Sequence, residues 1–552
     1  KNKEKVFYHL ALEYDCCSDC QEDFPHRWHW SVQSYQEELS DNFRVFLPNN
    51  YRDLEGETGE ITNMFKIGPE LFIHTEEGLW QTIRNQQERI TDQIVSFIGT
   101  GEYFSIPPRK VTDDSNGNTA GSRHLWGFIK TPTGVFFPSE NQNKFYNFDG
   151  KKLVPISNTG ISSWFKENTQ ILTDKNYLKM RRKDYPYRDN PSNPFGTGFI
   201  STYDSRKERI LFTKKDFLFK DSQINSQNYE LCTLNGELII FRNIDTLIET
   251  EEVAGWRYTG IDGIRMKFER EIVKTRIENR WIDGVPSPIT ISYMEIEYKY
   301  LNGEVIDNPE TINNSWTLSY SLKNQAWLFW HSYLPNFYMN IPERFYSWIN
   351  GNNNIWKHNK LGHYQTYYGT RYPFIIEYVS MSNPINTKTF EYIKLLTEAK
   401  RLNTEFGEFV EERFVTFNKA LFYNARQCSG ILNLLVKDIN TDGEDYLLQQ
   451  VQNLPGDSII IDRNEKDWTL NQLRDIRVDY TKPIFKSNIE SLQDNYFIDK
   501  VINEDTIDFD KDWSELESFR DKYLVVRFIF DNFDDVKLLL NYSVENEIQS
   551  TR

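Results

Sequence analysis

Asn-Gly and Asp-Gly pairs punctuate the chain along most of its length, and they constrain its fold more than any other feature. They stand at Asp149-Gly150, Asn235-Gly236, Asp262-Gly263, Asp283-Gly284, Asn302-Gly303, Asn350-Gly351 and Asp442-Gly443. Both residues of such a pair tolerate positive φ, which the tight primed turns of β-hairpins require. Several lie between segments that alternate apolar and polar residues. Residues 146–156 (YNFDGKKLVPI) therefore predict a hairpin, residues 231–241 (LCTLNGELIIF) a clearer one, and residues 298–306 (YKYLNGEVI) a third.

A loose repeat accompanies the turns. Residues 70–80, 126–137, 199–212 and 316–327 each read as strand, polar turn, strand, with an aromatic usually on the second strand. Degenerate hairpin units of this kind fit a propeller with irregular blades, although a sandwich or a meander gives a similar pattern. Composition points the same way. Aromatics are 15%, with Phe 38, Tyr 31 and Trp 14, while alanine is scarce and scattered (Ala11, Ala120, Ala254, Ala326). Aromatics favour strands and alanine favours helices. Helical spacing is rarer. Residues 79–97 place Ile83, Ile90, Ile94 and Phe97 on one side, and residues 386–402 carry Phe390, Ile393, Leu395 and Leu396; both patterns also allow a strand. Residues 516–523 look helical and residues 524–530 (LVVRFIF) read as a strand. Tryptophan thins out after about residue 378. The expected fold is mainly β with minor α: an N-terminal segment at 1–40, an irregular β-propeller-like domain at 41–375, and a β-rich α+β platform or docking domain at 376–552.

The 552 residues suit about two to four domains, and 39% hydrophobic with 26% charged residues is a globular balance. Lys and Arg number 64 against 81 Asp and Glu, a net charge of −17. Duplex binding rests on basic residues neutralising phosphates, so a general DNA binder is disfavoured. No apolar run approaches the ~20 residues of a membrane-spanning helix. The chain starts at Lys1 without a signal-peptide pattern, which reads as a processed product or a fragment of something longer. Cys16, Cys17 and Cys20 cluster, while Cys232 and Cys428 stand alone. An odd, uneven set of five is not a secreted disulfide framework and fits folding in a reducing cytosol.

Few residues gather into recognisable chemistry. Cys17, Cys20, His26 and His29 supply the ligand types of a tetrahedral zinc site, but the gap between the pairs is far shorter than the ~12 residues of a finger. The competing account is an ordinary aromatic segment, Phe24-Pro25-His26-Arg27-Trp28-His29-Trp30. Residues 113–118 (DDSNGN) have the flavour of a calcium loop without its acidic spacing, which leaves a polar surface loop. Gly196-Thr197-Gly198 lacks the rest of a dinucleotide fingerprint. No phosphate-binding loop and no nucleophile elbow is present. Abundant carboxylates allow a glycosidase pair on paper, but such a pair needs a cleft at a set separation. Aromatics can also stack on sugars, although core and interface use suits their large area better. Residues 327–338 (WLFWHSYLPNFY) are too apolar for an exposed loop, and read as a buried strand or a contact with another copy. The acidic run at 505–517 reads as a solvated face. No catalytic, cofactor-binding or metal residue is assigned, and no cofactor is expected.

Four stretches carry a family resemblance: residues 203–217 (YDSRKERILFTKKDF), 319–338 (SYSLKNQAWLFWHSYLPNFY), 364–379 (YQTYYGTRYPFIIEYV) and 519–540 (FRDKYLVVRFIFDNFDDVKLLL). They resemble the muzzle, or distal nozzle, proteins in the short tails of crAss-like bacteriophages of Bacteroidetes. The 40 N-terminal residues match least clearly. The resemblance implies a non-enzymatic structural protein of the virion tail, assembled in the host cytoplasm, with a β-propeller on a platform domain. It implies as partners other copies in a sixfold ring, tail hub or ring proteins, the remainder of a longer precursor, DNA in transit and a host receptor. An acidic wall repels phosphate, so such a conduit would concentrate acid on its lumen. A glycan-binding tail protein or a capsule depolymerase is the alternative.

Overall fold

A computed structural model describes residues 24–32, 41–54, 58–82, 89–91, 94–95, 107–112, 119–172, 191, 196–219, 229–234, 237–242, 253–262, 265–282, 285–302, 304–306, 311–341, 344–350, 353–360, 364–382, 384–424, 427–439, 445–449, 458–465, 467–471, 473–475 and 516–549. The chain divides into two compact units, Lys1–Asn353 and Asn354–Arg552. Both are built mainly of antiparallel strands; in the second, Cys428–Ile439 and Ser458–Asn464 pair in parallel, and a single short α-helix, Ser162–Asn168, occurs among the described residues.

The first unit is a stack of small sheets. A strand pair, Arg27–His29 with Tyr51–Asp53, begins it. The first four-stranded sheet follows, made of Ile61–Ile67, Glu70–Thr75, Leu79–Gln81 and Arg109–Val111. The second is an up-and-down meander of Ile129–Thr131, Gly134–Ser139, Lys144–Phe148 and Leu153–Pro155. The third joins Gly198–Asp204 and Arg209–Lys215 to Trp316–Ser321 and Ala326–His331. A hairpin, Phe337–Ile341 with Arg344–Trp348, comes next.

Strand alternation explains how these layers hold together. Successive side chains leave a strand on opposite faces. In the second sheet Val135, Phe137, Tyr146 and Phe148 turn toward Phe65, Phe72 and Leu79 of the first sheet. Their neighbours Phe136 and Phe145 turn the other way, toward Phe199, Ile210, Phe212, Trp316 and Leu318 of the third. Ile200 and Leu211 leave the far face of the third sheet and meet Tyr338 and Phe345. Ile73 and Trp80 leave the outer face of the first sheet and meet Trp28 and Leu54. Every sheet from the first to the third is thus covered on both faces. Such strands read as continuous apolar runs, and each buried aromatic adds about 1.5–3 kcal/mol. Gly121 marks one tight approach in this stack: a Cβ there would lie 2.2 Å from the Glu76 carbonyl oxygen.

The second unit solves the same problem with one large sheet. Eleven strands join in a curled sheet. Its main path runs from Phe374–Ser380 through Leu524–Phe530, Lys419–Tyr423, Cys428–Ile439, Ser458–Asn464 and Asp467–Asn471 to Lys388–Leu402, with Val536–Gln549 also paired to the last. Phe390, Ile393, Leu395, Leu432, Val436, Ile461, Trp468, Val526 and Phe528 fill a single core.

The expectation of a mainly β fold with minor α holds. The four repeat segments each form a paired hairpin. Of the hairpins predicted at Asp-Gly and Asn-Gly pairs, 146–156 and 231–241 are present. Residues 298–306 are not a hairpin. Val285–Asn302 pairs throughout its length with Arg265–Ile282, while Glu304–Ile306 pairs with Glu237–Arg242. The turn at Asp283-Gly284 claims the strand that the next pair, Asn302-Gly303, was expected to fold.

Where they are described, the three segments with helical spacing are strands instead; Ile83 and Phe97 lie outside the described residues. Leu79–Gln81 buries two consecutive residues, Leu79 and Trp80, on opposite faces, and short strands follow at Arg89–Thr91 and Ile94–Val95. Lys388–Leu402 carries a register shift between Phe390 and Tyr392. That bulge inserts one residue, so buried Phe390 and Ile393 stand three apart and imitate a helix face. Residues 516–523 form two short bridges, Glu517–Ser518 and Arg520–Asp521, around buried Phe519.

Candidate functional site

The residues with metal-ligand character do not gather into a site. Cys17 and Cys20 lie outside the described residues. His29 shares a strand face with Arg27, its ring 5.8 Å from that of Tyr51. Arg27 Nε donates to Asp53 Oδ1 at 2.6 Å and its guanidinium lies over Phe24 and Tyr51, so this face is tied down by an ion pair and cation–π contacts. No group of three His, Cys, Asp or Glu side chains suited to a metal occurs among the described residues. Residues 113–118 lie outside them too. Gly198 opens a strand rather than a helix, so Gly196-Thr197-Gly198 has no helix N-terminus at which to hold a phosphate. Cys428 is buried and forms no disulfide among the described residues.

The buried titratable groups of the first unit lie between and within its layers. Glu140 Oε2 accepts from Arg123 Nη2 at 2.6 Å and lies 3.1 Å from His124 Nε2, and Oε1 accepts from the Ile171 amide at 2.9 Å. Burial pushes this carboxyl up, but the His124 hydrogen bond and the Arg123 charge outweigh it and hold it at about 2. His74 is fully buried, its ring 4.4 Å from Phe137, and burial holds its pKa at about 3. Lys214 and Asp216 form an ion pair of 2.9 Å with both side chains wholly buried.

Asp216 has a second task. It stands where the chain leaves the third sheet for a long excursion, residues 217–313, before returning. Its carboxylate accepts from Asn314 Nδ2 and the Leu172 amide, and its backbone exchanges bonds with Asn314 and Ser315 at the return. The excursion is therefore clamped at its root, which fixes where it emerges from the stack.

Its main feature is an arm, the antiparallel hairpin Arg265–Ile282 with Val285–Asn302, 18 residues in each strand. At about 3.4 Å per residue this ribbon is roughly 60 Å long. Among the described residues only its base has a third strand, Arg257–Asp262, where Met266 and Phe268 are buried and Arg257 pairs with Glu269. Beyond the base Val273, Ile277, Met294 and Ile296 are exposed. Tyr298 and Tyr300 are exposed as well, with Lys267 and Arg265 over their rings.

Two smaller apolar surfaces are exposed elsewhere in this unit. Phe43, Val45, Phe46 and Leu47 are exposed along the turn after residue 41. Residues 327–338, expected as a buried strand or a contact with another copy, begin in the outermost strand of the third sheet. Trp327 packs inward against Phe165, whereas Phe329 and Trp330 face solvent. Trp164 lies edge-on to Phe165, Trp316 and Trp330 and is half-buried among them. The arm was missed from sequence because its charged residues hide a clean alternation. The signal was Asp283-Gly284, flanked on each side by a long β-rich run.

Comparison with known proteins finds a partial similarity. Residues 3–215 match the model of the Crassvirus muzzle protein. The muzzle protein of Bacteroides phage crAss001 is 21% identical over 189 residues, which cover 34% of this chain and 12% of that protein. The family is the one that the sequence resemblance pointed to, but the match lies elsewhere. It begins near the N-terminus, which had looked least similar, and overlaps the quoted stretches only at residues 203–215.

Proposed function

We propose, from the place of residues 3–215 in the Crassvirus muzzle protein family, that this chain is a structural part of a bacteriophage tail. In this reading it is one copy of a ring at the distal end of the tail, sixfold, which retains the genome and lets it pass on ejection. The family match is the observation that carries it.

The physical character of the chain supports the reading. The stacked sheets of the first unit are read as successive blades of a propeller. Buried ion pairs and aromatic layers make a stiff body that resists force without doing chemistry. A net charge of −17 suits a wall that must not hold DNA, and the acid is expected to concentrate on the lumen. Opening is a movement of loops, with no covalent step. The partners in this scheme are neighbouring copies, a tail hub or ring protein, the rest of a longer precursor and a host receptor. No helix among the described residues is long and apolar enough to cross a membrane.

The test is the mass of the native assembly, by native mass spectrometry or class averages of virion tails. A closed ring at the tail tip is expected. A monomer or a trimeric spike would overturn the ring and turn the search to glycan binding or capsule cleavage.

A further inference from the structure

The arm is amphipathic, and the two faces can be read from its register. One face carries Lys267 with Tyr300, Glu269 with Tyr298, Glu271 with Ile296, Val273 with Met294, Thr275 with Ser292, and Ile277 with Thr290. Its middle is apolar and open to solvent: Val273 is 64% exposed, Ile277 72%, Met294 60% and Ile296 47%. The charges of this face, Lys267, Glu269 and Glu271, stand toward the base, whereas the opposite face carries Arg270, Lys274, Arg276, Glu295 and Glu297 beside Ile272 and Tyr293, and pairs part of that charge internally. Arg270 Nη2 lies 2.8 Å from Glu297 Oε2, and Lys274 Nζ 2.6 Å from Glu295 Oε2. A two-stranded ribbon alone is marginal in water, and a half-buried sheet puts its apolar face on a partner. Here the face that should be covered is the exposed one.

We infer that the arm lies, apolar face inward, on a second copy of this chain. This rests on the ring reading and names the element that joins neighbours. Charge selects the occupant. Residues 265–302 hold seven basic and six acidic residues, a net +1, in a chain of −17. The rest of the subunit repels its own kind, and the arm is a long element that can approach it without that penalty. The chemistry of the face agrees. Val, Ile, Met and Tyr make up the core of protein interfaces, whereas phosphate or anionic lipid calls for a basic surface. Size sets a limit. Two strands roughly 10 Å wide and 60 Å long offer about 600 Å², short of the ~800 Å² per partner of a standard interface. The arm therefore supplies most of one contact and needs a second patch beside it. That is the economy of a head-to-tail ring, in which each copy both gives and receives.

The experiment uses the full chain with a photo-crosslinking benzoylphenylalanine at position 277 on the apolar face, or at 276 on the polar face. Heavy- and light-isotope copies are mixed before assembly. Crosslinks between isotopes are expected from 277, at least fivefold more than from 276. The double variant Val273→Glu, Ile277→Glu should need at least tenfold more protein to assemble, while its melting temperature as a monomer stays unchanged. Crosslinks from 277 that stay within one isotope overturn the arm contact. So does a ring that forms at the normal concentration in the double variant, and both results leave the ring reading standing. A wild-type chain that stays monomeric at all concentrations overturns the ring reading and the arm with it.

Discussion

The two units bury similar aromatic and aliphatic side chains by different means. The first stacks small sheets, so its middle sheets have no outer face, and neighbours such as Phe136 and Phe137 belong to two different cores. The second curls one sheet around one core, so Ile393 and Leu395 point in while Lys394 points out. The difference teaches that sensitivity to substitution should follow different periods in the two units. In the stack, consecutive residues matter. In the curled sheet, alternate residues matter.

The largest effect tests that period directly. Phe136→Ala and Phe137→Ala should each destabilise the first unit by about 3–5 kcal/mol. In the second unit Ile393→Ala should cost about 2–5 kcal/mol, but Lys394→Ala less than about 0.5 kcal/mol. Urea unfolding followed by tryptophan fluorescence and far-UV circular dichroism reads both. Equal costs at 393 and 394, or a silent member of the 136–137 pair, would break the comparison.

A smaller effect asks whether ionic bracing belongs to the stack. Glu140→Ala leaves Arg123 without its carboxylate and should cost about 3 kcal/mol. The measurement is the unfolding midpoint in urea at neutral pH. A change within error would mean that the layers hold by apolar contact alone.

Acid should distinguish the units next. His74 is held near pKa 3 when folded, against 6.5 as the ordinary value, because burial disfavours its charged form. The unfolded chain therefore takes up a proton that the folded chain refuses. Stability from this residue is complete above pH 6.5 and is lost as the pH falls toward 3. By pH 5 the loss is about 2 kcal/mol. His74→Phe, which keeps an aromatic against Phe137, should flatten the dependence between pH 7 and 5 in thermal scans. An unchanged slope would place the acid sensitivity elsewhere.

The smallest effect is expected on the arm. Val273→Thr should shift the unfolding midpoint of the monomer by less than about 0.5 kcal/mol, because the side chain is already in water. A larger loss would show that the ribbon's apolar face is buried within its own chain.

Much of the local architecture was legible in the sequence. Asp149-Gly150 and Asn235-Gly236 lie between strands that pair with each other, as do Asp262-Gly263, Asp283-Gly284 and Asp442-Gly443. Asn302-Gly303 does not, because its upstream strand is already paired along its length with Arg265–Ile282. The helical readings failed for a related reason. A bulge in Lys388–Leu402 and two-sided burial in Leu79–Gln81 both disrupt simple alternation. The candidate contact surface was less legible. Phe329 and Trp330 look like core by composition, and only their place on an outermost strand exposes them.

What the sequence by itself determined is local: where the chain turns, which segments extend, and that aromatic strands dominate. Turn chemistry and period-two patterning act over a few residues, so they can be read without knowing the fold. Only the tertiary structure decided which hairpins share a sheet, which sheets share a core, and which apolar face is left without cover. Trp316–Ser321 joins Arg209–Lys215 across the whole excursion, and Phe136 meets Tyr320 while Phe137 meets His74. The choices between sheets depend on closing long loops and filling space on both sides of a sheet. No window of neighbouring residues contains that information.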